Sequence, residues 1–402
     1  MPPHISPQIQ RRATYSAMAL HFLMGVANAT WFSRMPAIRD ALELTPAEIG
    51  LILLVGSIGS LVALPSTGPL SNVIGTRNTV RLGATAWAAG LGGMGLGVML
   101  ASRPMFAVGL ILMTFGGSMW VSSMNIEVGY HESVAQRPIQ FQFHASYTVG
   151  AVLGALVAAA IIRLGVAVPY HVWGIAVIGL LAAWYGSFLF LPQAYAQSFG
   201  TTADGSRRIK GRTRRAWTER TTILIAILAL AGGLLEGSAN EWLSLAMVDG
   251  YGMDQSHASM AYSLFLIVMA TVRMCSAFLL RRFPVEALVR SFFIGAVVGL
   301  VAVAFSPVVG GALLGGCLWA AGTALVFPAS TSALSSDPSM TAARISVLST
   351  INYASALVGP PVLGLVAQAV GYHRMLAVLV VPVMIGIFLT PQLVRSRSTG
   401  QD

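Results

Sequence analysis

Residues 222–247, TILIAILALAGGLLEGSANEWLSLAM, decide how the chain is read. As a helix the stretch runs about 39 Å at 1.5 Å per residue, more than the roughly 30 Å of hydrocarbon in a bilayer. Its second half nevertheless holds Glu236, Asn240, Glu241 and Trp242. A carboxylate in hydrocarbon costs several kcal/mol, and even lenient insertion scales give about 2.5–3.5 for Asp at a helix centre. Acids that remain there face a cavity or a partner. Glu236 lies about 21 Å along from Thr222, and Asn240 falls on the same face one turn later. Glu241 points elsewhere, near the far interface. The helix reads as one wall of a transport path.

The rest of the chain has the same character. Of its 402 residues 55% are hydrophobic and 9% charged, with mean hydropathy +0.74, where a soluble domain carries about 25% charged residues. Only helices and closed barrels satisfy the backbone in hydrocarbon, and the apolar runs here show no period-two alternation, so the spans are helical. The formal charge of +10 does not imply nucleic acid, because the basic residues sit in short loops between apolar runs. Cys275 and Cys317 lie within apolar runs without metal-ligand spacing, so neither a disulfide, a metal nor a cofactor is expected. Arg11 and Arg12 precede the first span and no small-residue cleavage site follows it, which predicts a retained helix and not a cleaved signal.

Polar and Pro/Gly breaks divide the chain into twelve candidate spans: 13–33, 47–68, 79–100, 104–127, 142–163, 168–191, 221–246, 258–280, 287–305, 308–332, 343–369 and 373–393. Thr45, Pro46 and Glu48 supply a capping box with Pro at the first helical position for the second. Gly93 with Gly97, Gly150 with Gly154 and Gly311 with Gly315 offer close helix packing. With a cytoplasmic N-terminus, most of the 24 Lys and Arg fall on the inner side. Only Arg34, Arg39, Arg103, Arg163 and Arg374 fall outside, and Arg273 lies within a span. That asymmetry obeys the positive-inside rule and predicts both termini in the cytoplasm.

The longest interruption carries Arg207, Arg208, Lys210, Arg212, Arg214 and Arg215. It predicts three parts: a six-helix half at 1–191, a basic cytoplasmic linker at 192–219 and a second six-helix half at 220–402. The cluster serves topology, with anionic lipid or a regulator as the functional alternative. Trp31 and Arg81 have nearly the spacing of Trp242 and Arg290. A duplicated pair of six-span halves around a midplane site is a known transporter plan.

Between the second and third spans, Gly68-Pro-Leu-Ser-Asn72-Val-Ile-Gly75-Thr-Arg77 resembles the loop signature of the major facilitator superfamily, with Asn72 where Asp is usual. Trp31-Phe-Ser-Arg34-Met-Pro36, Ala37-Ile-Arg39, Met124-Asn125, Arg137-Pro138, Phe143-His144-Ala145 with Gly150, Glu236-Gly237 and Glu241-Trp242 resemble the MosC-like (YbjJ) branch, which has Asp where this chain has Glu241. The resemblance implies an all-α integral membrane protein with twelve helices in two pseudo-symmetric halves, acting as a secondary transporter in the bacterial inner membrane.

Glu236 is the first candidate for a proton- or cation-coupled substrate site, with a structural hydrogen bond to a neighbouring helix as the alternative. Burial disfavours the charged form of a carboxyl, so one that meets each aqueous side in turn can carry a proton. Arg273, mid-span, needs a partner: Glu236 or an anionic substrate. Asn28, Trp31, Trp120, Trp242, Asn352 and Tyr353 offer aromatic and amide walls suited to a polyol or small amphipathic molecule, or else simple packing. Asn240 completes this group.

The resemblance makes helices one and seven symmetry mates, so Arg34 and Glu241, beside Trp242, form a candidate outer gate. Two separate interfacial charges are the alternative. Asn125, Glu127 and His144, with Asn72 and Arg77, form a candidate inner gate or proton exit, against helix capping. His21 reads as a hydrogen-bonded interior histidine. Gly359-Pro360-Pro361 would bend the eleventh span and free carbonyls toward a cavity.

No P-loop G-x-x-x-x-G-K-[ST] occurs, so ATP does not drive the cycle. The expected function is proton-coupled movement of a small organic solute by a monomer. Uptake of a sugar- or inositol-like compound and efflux of a metabolite or drug both fit. A transporter-like sensor is a further alternative. So is a membrane enzyme, although Asn125, Glu127, His131, Glu132 and His144 include no nucleophile with a clear partner.

Overall fold

The computed structural model describes residues 6–135, 139–191, 212, 214–335 and 340–394. Arg137-Pro138, most of the basic linker and the final arginines lie outside that set. The described residues are nearly all helical, with no strand among them. In chain order the helices are α1 (Pro7–Ser33), α2 (Met35–Leu42), α3 (Pro46–Met99), α4 (Arg103–Ala135), α5 (Gln140–Arg163) and α6 (Val168–Ser187). After the linker come α7 (Arg220–Tyr251), α8 (Gln255–Arg282), α9 (Val285–Phe305), α10 (Val309–Ala324), α11 (Val326–Leu334), α12 (Thr341–Val370), a 3-10 turn (Arg374–Leu379) and α13 (Val380–Leu389).

Nine of these segments are long and apolar enough to cross a membrane, against twelve expected spans, and three local causes account for the difference. α3 holds 54 residues, about 81 Å of helix, and so contains both the second and third spans. They meet at Gly75, whose φ of 83° and ψ of 157° only glycine adopts without strain. The helix of the first span, α1, carries Thr14, Ser16, His21, Asn28, Thr30 and Ser33 and so has too polar a composition. The last span is broken into the 3-10 turn and the short α13.

By its described residues the chain forms two compact units. The first comprises α1, α2, α3 from Leu51, α4 to α6, and Gln255–Ser263 at the start of α8. The second comprises Pro46–Gly50, α7, the remainder of α8 and α9 to α13.

Small residues set the helix spacing inside each unit, as expected where lipid supplies no hydrophobic drive between helices. Gly150 and Gly154 of α5 lie against the carbonyls of Phe22 and Val26 on α1, where any Cβ would collide with backbone. In the second unit Gly299 of α9 and Gly315 of α10 have their backbones in the same close contact. Large aromatics fill the remaining interior: Trp87 meets Trp120 edge-on at 5.5 Å in the first unit, and Phe265 meets Trp319 at 5.3 Å in the second.

Candidate functional site

In the second unit the two intramembrane charges meet. The Arg273 guanidinium on α8 donates to Glu236 Oε2 on α7 at 2.6 Å, and its Nε donates to the Ala324 carbonyl at 3.1 Å. That carbonyl has a local reason to be available. It ends α10, and its ordinary helical donor would be residue 328, which is a proline without an N–H. Arg273 supplies the missing donor. The pair is neither sealed nor fully open, with side-chain exposures of 27% for Arg273 and 34% for Glu236. In hydrocarbon such mutual neutralisation lowers the cost of both charges.

One turn before Glu236, Gly233 lies against Asn352 of α12, where a side chain would collide with the Asn352 Oδ1. That oxygen is buried and has no hydrogen-bond partner among the described residues. A buried amide oxygen left without a donor costs about 1–3 kcal/mol, unless water or a ligand supplies one. Asn240 is half-buried one turn beyond Glu236, and Tyr353, beside Asn352, is 43% exposed. Trp242 is fully buried and lies 6.2 Å from the Tyr372 ring, within its own unit. Neighbouring Glu241 is half-buried.

The first unit has a separate polar and aromatic group on α1 and α5. Asn28 Nδ2 donates to Tyr147 Oη at 3.0 Å. His21 stacks on Phe143 at 3.8 Å, with His144 at 5.6 Å and Tyr147 at 5.2 Å. The sequence reading gave His21 a satisfied hydrogen bond. Its Nδ1 is instead buried without a partner among the described residues. His21 and Asn28 are two turns apart on α1, and Phe143, His144 and Tyr147 share one side of α5. That spacing was legible, but Tyr147 was not singled out. Trp31 is buried beside Phe32, 4.5 Å between rings, and Trp120 packs into the core with its Nε1 donating to Met124 Sδ at 2.9 Å.

The residues proposed as gates fall into several separate environments. Arg34 is 4% exposed, and its guanidinium donates to His171 Nδ1 at 3.0 Å and to the Val166 carbonyl at 2.7 Å, both in the first unit. Glu127 is fully buried. It accepts from Thr76 Oγ1 at 2.6 Å and the Leu191 N–H at 2.8 Å, with His131 Nε2 at 3.2 Å. His131 Nδ1 lies 3.0 Å from Thr14 Oγ1, so this network ties α1, α3, α4 and the chain after α6 together. His144 belongs to the His21 group, Asn125 is half-buried, and Asn72 is exposed. Arg77 donates to the carbonyls of Phe188 and Phe190 at 3.1 and 3.5 Å. Among the described residues no group of three or more His, Cys, Asp or Glu is placed to hold a metal ion.

These features agree with what the chain resembles. The model of the Major Facilitator Superfamily matches residues 17–360. The "Uncharacterized transporter y4wD" of Sinorhizobium fredii is 28% identical over 363 residues, covering 88% of this chain and 91% of that protein. "Membrane protein MosC" of Rhizobium meliloti is 23% identical over 372 residues, covering 91% of this chain and 86% of that one. Among solved structures, nucleoside transporter NupG superposes with a TM-score of 0.74 at 15% identity, over 96% of this chain and 98% of its own. A family match that runs from α1 into α12, on an all-helical multi-pass fold, leads to one assignment: the chain belongs to the major facilitator superfamily.

Proposed function

We propose that the protein is a secondary transporter that moves a small hydroxylated organic solute by alternating access, coupled to protons at Glu236. The observation that carries this is the Glu236–Arg273 pair within the second unit, at 2.6 Å and partly open. A proton taken up by Glu236 removes the charge that compensates Arg273. The guanidinium is then left with the Ala324 carbonyl and unused donors for solute oxygens. Conversely, solute acceptors that engage Arg273 free Glu236 for a proton. Either order links solute binding to proton binding by mutual competition for one cation.

Asn240, Asn352 and Tyr353, all in the second unit, supply amide and aromatic groups for a polyol-like ligand. The unpartnered Asn352 Oδ1 supports a ligand that donates hydroxyl hydrogens. The nucleoside named for NupG is a solute of that kind. The relatives are bacterial, and the charge distribution supports an inner-membrane protein with both termini cytoplasmic.

Purified protein in liposomes tests this reading. With an imposed inward proton gradient, a symporter accumulates labelled solute and an antiporter expels it. Collapse of the gradient response in Glu236→Gln, with solute counterflow retained, is expected. An unchanged gradient response in that variant would refute Glu236 as the coupling group.

A further inference from the structure

The two spans inside α3 each exceed the bilayer's hydrocarbon, so their junction at Gly75 stands at one membrane face. Arg77 and Arg81 follow within about 9 Å of helix, one turn apart on the same side. Both are half-buried and both turn toward the end of α6. Arg81 Nε donates to Ser187 Oγ at 2.8 Å, and its terminal nitrogen to the Trp184 carbonyl at 3.4 Å. Its guanidinium carbon sits 3.9 Å from the Phe188 ring centre and 5.1 Å from that of Trp184. Arg77 reaches the Phe188 and Phe190 carbonyls.

Capping the last carbonyls of a helix explains part of this arrangement, but it leaves two charges unanswered. Every acceptor is neutral, and among the described residues no carboxylate forms an ion pair with either arginine. A helix C-terminus offers only about half a negative charge. Each guanidinium has five N–H donors and spends two of its hydrogen bonds on these acceptors, so a fork of donors remains on both. Two like charges one turn apart are unfavourable unless an anion lies between them.

The surroundings identify the anion. Trp184, Tyr185 and Phe188 are 44%, 74% and 59% exposed beside the pair, and Leu181, Ile178 and Val177 continue the apolar strip along α6 at 64%, 54% and 55%. A cationic fork at a membrane face, rimmed by interfacial aromatics above an apolar strip, matches an amphiphile with a phosphate head and acyl chains. Arginine, rather than lysine, suits the planar two-point contact with phosphate oxygens. We propose that Arg77 and Arg81, with Trp184 and Phe188, form a binding site for the phosphate headgroup of an anionic phospholipid whose chains lie along α6.

Native mass spectrometry of the full-length protein, mixed with phosphatidylglycerol or with phosphatidylcholine, tests this. Wild type should retain phosphatidylglycerol in preference to phosphatidylcholine. Arg77→Gln/Arg81→Gln should retain the anionic lipid about thirtyfold less, as expected for two basic contacts at a leaflet surface. Arg281→Gln/Arg282→Gln, at the end of α8, should leave retention unchanged. If the double variant fails to fold, Arg81→Gln alone keeps the Arg77 cap and should still weaken the anionic lipid selectively. Equal retention of both lipids by wild type, or unchanged phosphatidylglycerol retention in the Arg77 and Arg81 variants, overturns the proposal. So does displacement of the lipid by millimolar inorganic phosphate, which would assign the fork to a soluble anion.

Discussion

Replacing Glu236 and Arg273 singly and together gives the most informative perturbation of the intramembrane pair. Losing one partner of a fully buried ion pair costs about 3–5 kcal/mol, whereas exposed pairs are worth about 0.2–1. With 34% and 27% of the side chains exposed, this pair falls between those limits, and a coupling of about 2 kcal/mol is expected. The Ala324 carbonyl keeps one bond to Arg273 when Glu236 is changed, which holds the loss below the buried limit. Glu236→Gln and Arg273→Gln should therefore each destabilise the protein, and the double variant should lose about 2 kcal/mol less than the two losses combined. Reversible unfolding in mixed micelles of increasing SDS, followed by tryptophan fluorescence, reads these differences. Additive losses, within about 0.5 kcal/mol, would refute an energetically coupled pair.

Three further outcomes follow from other contacts. At the start of α7, burial pushes the Glu219 carboxyl up. Hydrogen bonds from Arg344 and Thr222 and the charges of Arg344 and Arg215 outweigh that and hold it below its ordinary 4.5. A depressed carboxyl stabilises the fold above its ordinary value and loses that contribution as pH falls through its folded value. Melting scans from neutral to acid pH should thus show a steeper decline in wild type than in Glu219→Gln. Gly150→Ala forces a methyl into the Phe22 carbonyl and should cost about 1–3 kcal/mol, while Gly174→Ala, inside α6 with nothing within 4 Å, should lose no stability in the same melts and gain up to about 1 kcal/mol from helix propensity. Pro328→Ala restores an N–H that can claim the Ala324 carbonyl from Arg273. It should reduce transport in liposomes without lowering the melting temperature, and unaltered transport would show that the Arg273–Ala324 bond is dispensable.

Apolar length made the membrane class and most spans legible, because hydrocarbon permits few alternatives. Gly68–Arg77 carried the resemblance to the family's loop signature, with Asn72 where Asp is usual. Glu236 and Arg273 stood out since a charge in a span requires a partner, and they meet at 2.6 Å. The contacts that span long sequence separations were not legible. Nothing local to Arg34 points to His171, and nothing near Glu127 announces Thr76 or the Leu191 N–H. One signal was available and unused: Ala324 followed four residues later by Pro328 leaves a carbonyl without its helical donor. His21 was legible only in part, since its ring stacks on Phe143 and its Nδ1 is buried without a partner among the described residues. The break between the second and third spans was legible in the loop signature, although in the structure it narrows to a kink at the single non-helical residue Gly75.

The decisive measurement is the proton balance when solute binds. Detergent-purified protein in weak buffer would be titrated with a panel of monosaccharides, inositols and nucleosides, with a pH indicator recording protons and calorimetry recording binding, for wild type and Glu236→Gln. Binding accompanied by proton exchange in wild type, and binding without it in the folded variant, is the expected result. Binding with the same proton exchange in both proteins, or with none in either, would contradict coupling at Glu236.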